Sequence, residues 1–136
     1  MVTGSVLTAL YKKGKIMIKR ITPKEIYNGL PCSLVSVGCA VGEKDGKLIE
    51  KSKGLKEDGY LTLDNMNRYI RSMLPIQKKE YFKRGERPLL KDFLEGNTRK
   101  AVVCLLGHYI YVEGEQYWSF FKNEMDPVVC VWWIKE

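Results

Sequence analysis

Histidine is the scarcest reactive residue in this chain: there is one, His108, in 136 residues. Chemistry that needs a base working near neutral pH therefore has a single imidazole to draw on. The four cysteines, Cys32, Cys39, Cys104 and Cys130, show no metal-ligand spacing, so no metal and no other cofactor is expected. Long apolar runs are missing too. None reaches the roughly twenty residues of a membrane span, and no membrane partner is expected. Met1 to Leu10 has neither a basic leader nor a small-residue cleavage site before "YKKGK". The expectation is a soluble protein with no secretion signal, kept in a reducing compartment with four free thiols. No arginine-rich stripe, internal repeat or low-complexity segment is present. The 23 Lys and Arg against 16 Asp and Glu give a net charge of +7, which favours acidic partners or anionic envelope polymers. The basic residues are scattered through "YKKGKIMIKR", "EKSKGLK" and "QKKEYFKR", so nucleic acid is not the expected partner.

What remains is ordinary globular material, 45% hydrophobic and 29% charged, enough for one domain with one core. Residues 1–16 read as an N-terminal extension or edge strand, with Met17 as an alternative start, and residues 17–136 as the domain. Thr22, Pro23 and Glu25 in "ITPKEIYNG" form a capping box that starts a short helix, with Gly29 to end it. Past Pro31 a second, apolar helix is predicted from about Cys32 to Val41, stopped at Gly42. "DGKLIEKSKG" reads as a third. Leu63, Met66, Ile70, Met73 and Leu74 recur at helical spacing behind a Thr62 cap. After Pro75, "IQKKEYFKR" reads as a strand or extended loop, and "ERPLLKDFLEGN" as a helix. The last third changes period: "RKAVVCLLG", "HYIYV", "EQYWSFF" and "VVCVWWI" are rich in β-branched and aromatic residues, with a hairpin turn at Glu113-Gly114. The pattern predicts an α+β fold, N-terminal helices packed on a C-terminal antiparallel β-sheet.

Three of the thiols sit inside apolar runs, as core cysteines do. Cys32 differs. Pro31 puts it at a helix start, where unsatisfied backbone N–H groups and the helix dipole favour the thiolate. Those N–H groups, with the Asn28 side-chain amide upstream, also suit an oxyanion. A thiol nucleophile needs a base, and His108 is the one imidazole. It stands at a predicted strand start behind Gly107, whose small size leaves space for a substrate beside the ring. An early helix-start Cys and a late strand-start His form the arrangement of Cys–His acyl transfer.

Cys at the start of a small-residue helix, then "DGYLTLDNMNRYIR", "GERPLLKDFLEG", "VVCLLGHYIYVEGEQYW" and a closing "PVVCVWWI" resembles the small papain-like cysteine peptidases of bacteriophages and prophages. The likeness runs from about Pro31 to Ile134. It implies a papain-like fold, Cys32 as nucleophile, His108 as general base, and cleavage of a peptide or isopeptide bond in a peptide or protein substrate. The location it implies is the host cytoplasm or the virion. The sequence departs from that pattern at the third triad position: where such proteins carry an Asp or Asn after the His hairpin, this chain reads "YWSFF". A turn centred on Glu113-Gly114 sets Val112 opposite Glu115, Ile110 opposite Tyr117 and His108 opposite Ser119. Ser119 is then the side chain that orients the ring and Trp118 the one that shields it, while Asn123 and Asp126 lie beyond the strand, able to fold back. Two other readings stand beside this one. The missing carboxylate suits a non-catalytic virion or host-interaction protein that keeps the fold, with "YWSFF" and "VWWI" as an interface. The basic charge suits a peptidoglycan cross-link hydrolase. The sequence leaves the oligomeric state open.

Overall fold

The longest apolar runs form the centre of a sheet covered on both faces. A computed structural model describes residues 18–27, 29–42, 56–57, 60–61 and 63–136. In chain order the elements are β1 (Lys19–Ile21), a 3-10 turn (Glu25–Tyr27), α1 (Cys32–Val41), β2 (Lys56–Glu57), β3 (Tyr60–Leu61), α2 (Leu63–Met73) and β4 (Ile76–Tyr81). There follow α3 (Leu90–Leu94), β5 (Lys100–Leu105), β6 (His108–Glu113), β7 (Gln116–Trp118) and β8 (Val128–Ile134). Six strands make one sheet in the order β1-β7-β6-β5-β8-β4, and β2 pairs with β3 separately. The class is α+β.

Two strands correct the expected antiparallel C-terminal sheet. The first, β1, joins the edge parallel to β7, so the sheet is mixed. It is held where the Lys19 N–H donates to the Glu115 carbonyl at 3.2 Å and the Ser119 N–H to the Ile21 carbonyl at 3.1 Å. The second, β4, comes from the middle of the chain and closes the other edge against β8. Residues 1–17, with the whole of the proposed extension, lie outside the described residues, as do the helix expected over 45–54 and the Thr62 cap.

Alternation within each central strand explains their unbroken apolar character. On one face Val102, Cys104, Tyr111, Cys130 and Trp132 meet Leu34 and Val37 of α1 and Met66, Tyr69 and Ile70 of α2. On the other, Ala101, Val103, Ile110, Val112 and Val131 meet Leu90 and Leu94 of α3. Trp132 is fully buried and its indole N–H donates to Asn67 Oδ1 at 2.9 Å, which ties α2 to β8. Among the described residues no helix is long and apolar enough to cross a membrane.

Two helices are shorter than their sequence signals. The capping box yields a single 3-10 turn, and the Thr22 hydroxyl accepts from the Arg20 guanidinium of β1 at 3.2 Å. The third helix begins only at Leu90, since Leu89 forms a β-bridge with Pro127 and the Pro88 carbonyl accepts from the Val128 N–H at 2.8 Å. That bridge holds residues 126–127 beside the start of β8, near the end of the sheet that carries His108.

Trp132→Ala removes the largest fully buried side chain and one of the two donors to Asn67 Oδ1, which keeps the Arg71 Nε–H at 3.1 Å. It should lower stability by about 3–5 kcal/mol, whereas Leu106→Ala, at a position 65% exposed, should stay within about 0.5 kcal/mol. Urea denaturation of the two variants checks both values.

Candidate active site

Pro31 occupies the N-cap of α1 with φ −59 and ψ 147, and no side chain caps the helix. Its carbonyl accepts from the Leu34 and Val35 N–H groups, each at 3.0 Å. The N–H groups of Cys32 and Ser33 are left facing the Cys32 sulfur, and both favour its thiolate. At the far end Gly42 closes α1 in the left-handed conformation, φ 72, with its N–H on the Gly38 carbonyl. The helix packs across β6. That packing brings a third donor to the thiol, the backbone N–H of Tyr109.

His108 opens β6. It pairs with Leu105 across a two-residue turn in which Gly107 takes φ 82, a conformation that side chains other than glycine resist. A Cβ at Gly107 would meet nothing within 4 Å, so what requires glycine here is the positive φ of the turn. The Leu106 N–H donates to the Pro127 carbonyl at 3.2 Å, fastening the turn to the loop before β8.

Cys32 and His108 line one cleft of about 210 Å³. Leu30 and Val35 form part of its wall, and Tyr109, Trp118, Phe120 and Phe121 supply an aromatic border. No hydrogen bond joins the sulfur to the ring. The two are linked through the Tyr109 backbone, one residue from His108, and through the shared cavity.

The register of the hairpin differs from expectation by two residues. Glu113 pairs with Gln116, Val112 with Tyr117 and Tyr111 with Trp118, because the turn is Gly114-Glu115, with Gly114 at φ 64. An even shift preserves which face each side chain takes, where an odd one reverses it. Ser119, just past the end of β7, therefore still reaches the ring: its Oγ is 3.3 Å from His108 Nε2. Ser119 is 3% exposed and Asn123 6%. The Ser119 hydroxyl lies 2.5 Å from Asn123 Oδ1 and accepts from the Phe121 N–H at 3.1 Å. Asn123 Nδ2 donates to Asp126 Oδ2 at 2.7 Å. The segment after β7 thus does fold back onto the histidine.

Electrostatics at the pair run against the simple helix-start argument. Burial raises the Cys32 thiol, and the N–H groups of Tyr109, Cys32 and Ser33 only partly offset it. The direction is opposite to the expected lowering, because the half-buried sulfur loses more from desolvation than the backbone N–H groups return. Burial lowers His108, with the Asp126 carboxylate opposing. Both shifts favour the uncharged forms, so at neutral pH the site rests as thiol and neutral imidazole.

Asn28, the expected oxyanion amide, lies outside the described residues. Trp118 borders the cleft. Sequence reasoning missed Tyr109 and took Phe120 and Phe121, within "YWSFF", only as part of an interface in the non-catalytic reading; adjacency to His108 and Ser119 was the available signal. The other thiols are less favourable nucleophiles. Cys39, half-buried, lines a separate cavity of about 190 Å³ on which Trp118 also borders, and burial pushes it up to about 11 against the opposing charge of Lys24. Cys104, also raised to about 11 by burial, is a buried cross-strand neighbour of the buried Cys130. Among the described residues no group of three or more His, Cys, Asp or Glu side chains is placed to hold a metal ion.

Comparison with protein-family models, with curated proteins and with solved structures gives no match to the chain.

Labelling with a limiting amount of iodoacetamide near neutral pH should modify Cys32 first and Cys39 next, as read by peptide mapping; Cys104 or Cys130 reacting first would contradict the site. The histidine makes a second prediction. Its folded value lies below the ordinary 6.5, so the unfolded chain takes up a proton that the fold resists. This stability is complete above about 6.5 and is lost as pH falls from there through the folded value. Thermal melts between pH 7.5 and 5.5 should show a decline that His108→Gln reduces.

Proposed function

We propose that this chain is a thiol hydrolase of papain-like type that cleaves a peptide or isopeptide bond through a Cys32 thioester. The observation that carries the reading is the convergence of the Cys32 thiol, at an uncapped helix start, and the His108 ring on one cleft. The contact of Nε2 with Ser119 leaves Nδ1 as the ring nitrogen free to serve as base. A Cys-bearing helix packed on the strand that begins with the histidine also supports the papain-like fold, and with it the resemblance to the bacteriophage peptidases.

In this reading the substrate carbonyl enters beside the sulfur. The sulfur bonds to the carbonyl carbon while the thiol proton passes to Nδ1. Negative charge develops on the carbonyl oxygen, and the N–H groups of Cys32 and Ser33 are the nearest donors for it. The imidazolium then returns the proton to the leaving nitrogen, the C–N bond breaks, and an acyl thioester remains. Water, deprotonated by Nδ1, attacks the thioester and frees the acid and the thiol. Because the resting pair is uncharged, the proton moves during attack. Leu30, Val35, Phe120 and Phe121 around the cleft favour an apolar side chain next to the scissile bond.

A second reading has an observation of its own. No hydrogen bond joins Cys32 to His108, and Phe121, at the rim, is 66% exposed, features that suit a binding component keeping the fold without the chemistry.

The pH dependence of Cys32 alkylation separates the two. As dyad, His108→Ala should slow alkylation near neutrality by about tenfold or more. Ser119→Asp, which sets a carboxylate against Nε2, should stabilise the imidazolium and carry fast alkylation to lower pH. Identical profiles for the parent and both variants would leave the binding reading in place.

A further inference from the structure

The Ser119 hydroxyl has one proton and two lone pairs. Asn123 Oδ1, 2.5 Å away, is an amide oxygen and can only accept, so it takes the proton. The Phe121 N–H occupies one lone pair. The other lone pair also can only accept, so the 3.3 Å contact with Nε2 requires the proton on that nitrogen. All of this turns on which way the Asn123 amide points. A flipped amide would offer N–H to Ser119, turn the serine proton toward the ring, and put the imidazole proton on Nδ1. Asp126 removes the choice: its Oδ2 lies 2.7 Å from Asn123 Nδ2, and a carboxylate has nothing to donate. The backbone holds the two in place. The Asp126 N–H donates to the Asn123 carbonyl at 3.0 Å. The Asn123 N–H donates to the Tyr117 hydroxyl at 3.2 Å, and that hydroxyl donates to Glu124 at 2.6 Å.

We propose that Asn123 and Asp126 are positioning residues for His108: acting through Ser119, they fix its proton on Nε2, leave the Nδ1 lone pair for the thiol, and supply at Asp126 the counter-charge for the imidazolium. This rests on His108 being the base. It answers the absent third carboxylate, which sits two hydrogen bonds beyond Ser119. Other polar and charged groups stand around the ring. Arg20 on β1 donates to the Ser119 carbonyl at 3.2 Å, Cys32 faces the same cleft from α1, Tyr109 follows on β6, and the Glu124 carboxylate is taken by Tyr117. Asp126 is the charge that opposes the effect of burial on the ring.

The single histidine makes the test direct, since every imidazole signal belongs to His108. In the full chain carrying Cys32→Ala, which removes coupling to the thiol, nitrogen NMR of the ring above its midpoint should find the proton on Nε2. Asp126→Asn should lower the midpoint by about 0.5 pH or more, and Asp126→Glu should restore part of it. With Cys32 present, Asp126→Asn should slow neutral alkylation by about threefold or more, and should have no effect when His108 is already Ala. A proton on Nδ1 in the parent, or the same midpoint in a folded Asp126→Asn variant, would overturn the proposal. Failure of the Cys–His reading is distinguishable. It would appear as alkylation indifferent to His108→Ala, while the ring's proton position and midpoint, measured without the thiol, still report on Asn123 and Asp126.

Discussion

The packing of α1 across β6 is the contact on which the site depends. It buries Leu34 and Val37 against the sheet and brings the helix start, with Cys32, to the Tyr109 backbone beside His108. The same contact does two opposed things to the thiol. It withdraws the sulfur from water, which raises its pKa, and it aims three backbone N–H groups at it, which lowers the cost of charge there. Burial prevails in the resting protein. Those N–H groups are fixed dipoles, already oriented toward negative charge at the sulfur.

On the histidine side a buried polar cluster performs the corresponding task. Ser119 and Asn123 are among the few buried polar side chains of the described structure, and each is hydrogen-bonded. Such a cluster costs stability unless it is fully satisfied. Here its satisfaction runs in one direction, from the ring to a carboxylate at the surface end of the loop. The site thus lies where two covered faces of a sheet meet an exposed loop, with apolar packing bringing Cys32 and His108 to one cleft and hydrogen bonds holding the loop to the ring.

Much of this was legible in the sequence, for identifiable reasons. Pro31 before Cys32 and Gly42 after Val41 fixed α1 at both ends by backbone chemistry alone. The 3.6-residue recurrence of Met66, Ile70 and Met73 marked α2. His108 and Ser119 came together although the register was wrong by two residues, because an even shift leaves side chains on the same face. What escaped was non-local. The parallel pairing of β1 depends on where β7 ends. The late start of α3 depends on a bridge from Leu89 to Pro127 that no local propensity encodes. The net rise of the Cys32 pKa required knowing how deeply the helix start is buried. Asn123 and Asp126 could be named as residues able to fold back, but the partners they find, Ser119 for Asn123 and the Asn123 amide for Asp126, follow a loop path that no motif encodes.

The central claim is that Cys32 accepts an acyl group with His108 as its base. The most direct measurement is intact-protein mass spectrometry during incubation with an activated ester of an apolar acyl-amino acid, quenched in acid to preserve thioesters. The account predicts one acyl group, mapped to Cys32, that forms and hydrolyses with time and whose formation is strongly slowed in His108→Ala. Acylation spread over several thiols, or an adduct at Cys32 that forms equally fast in His108→Ala, would contradict it.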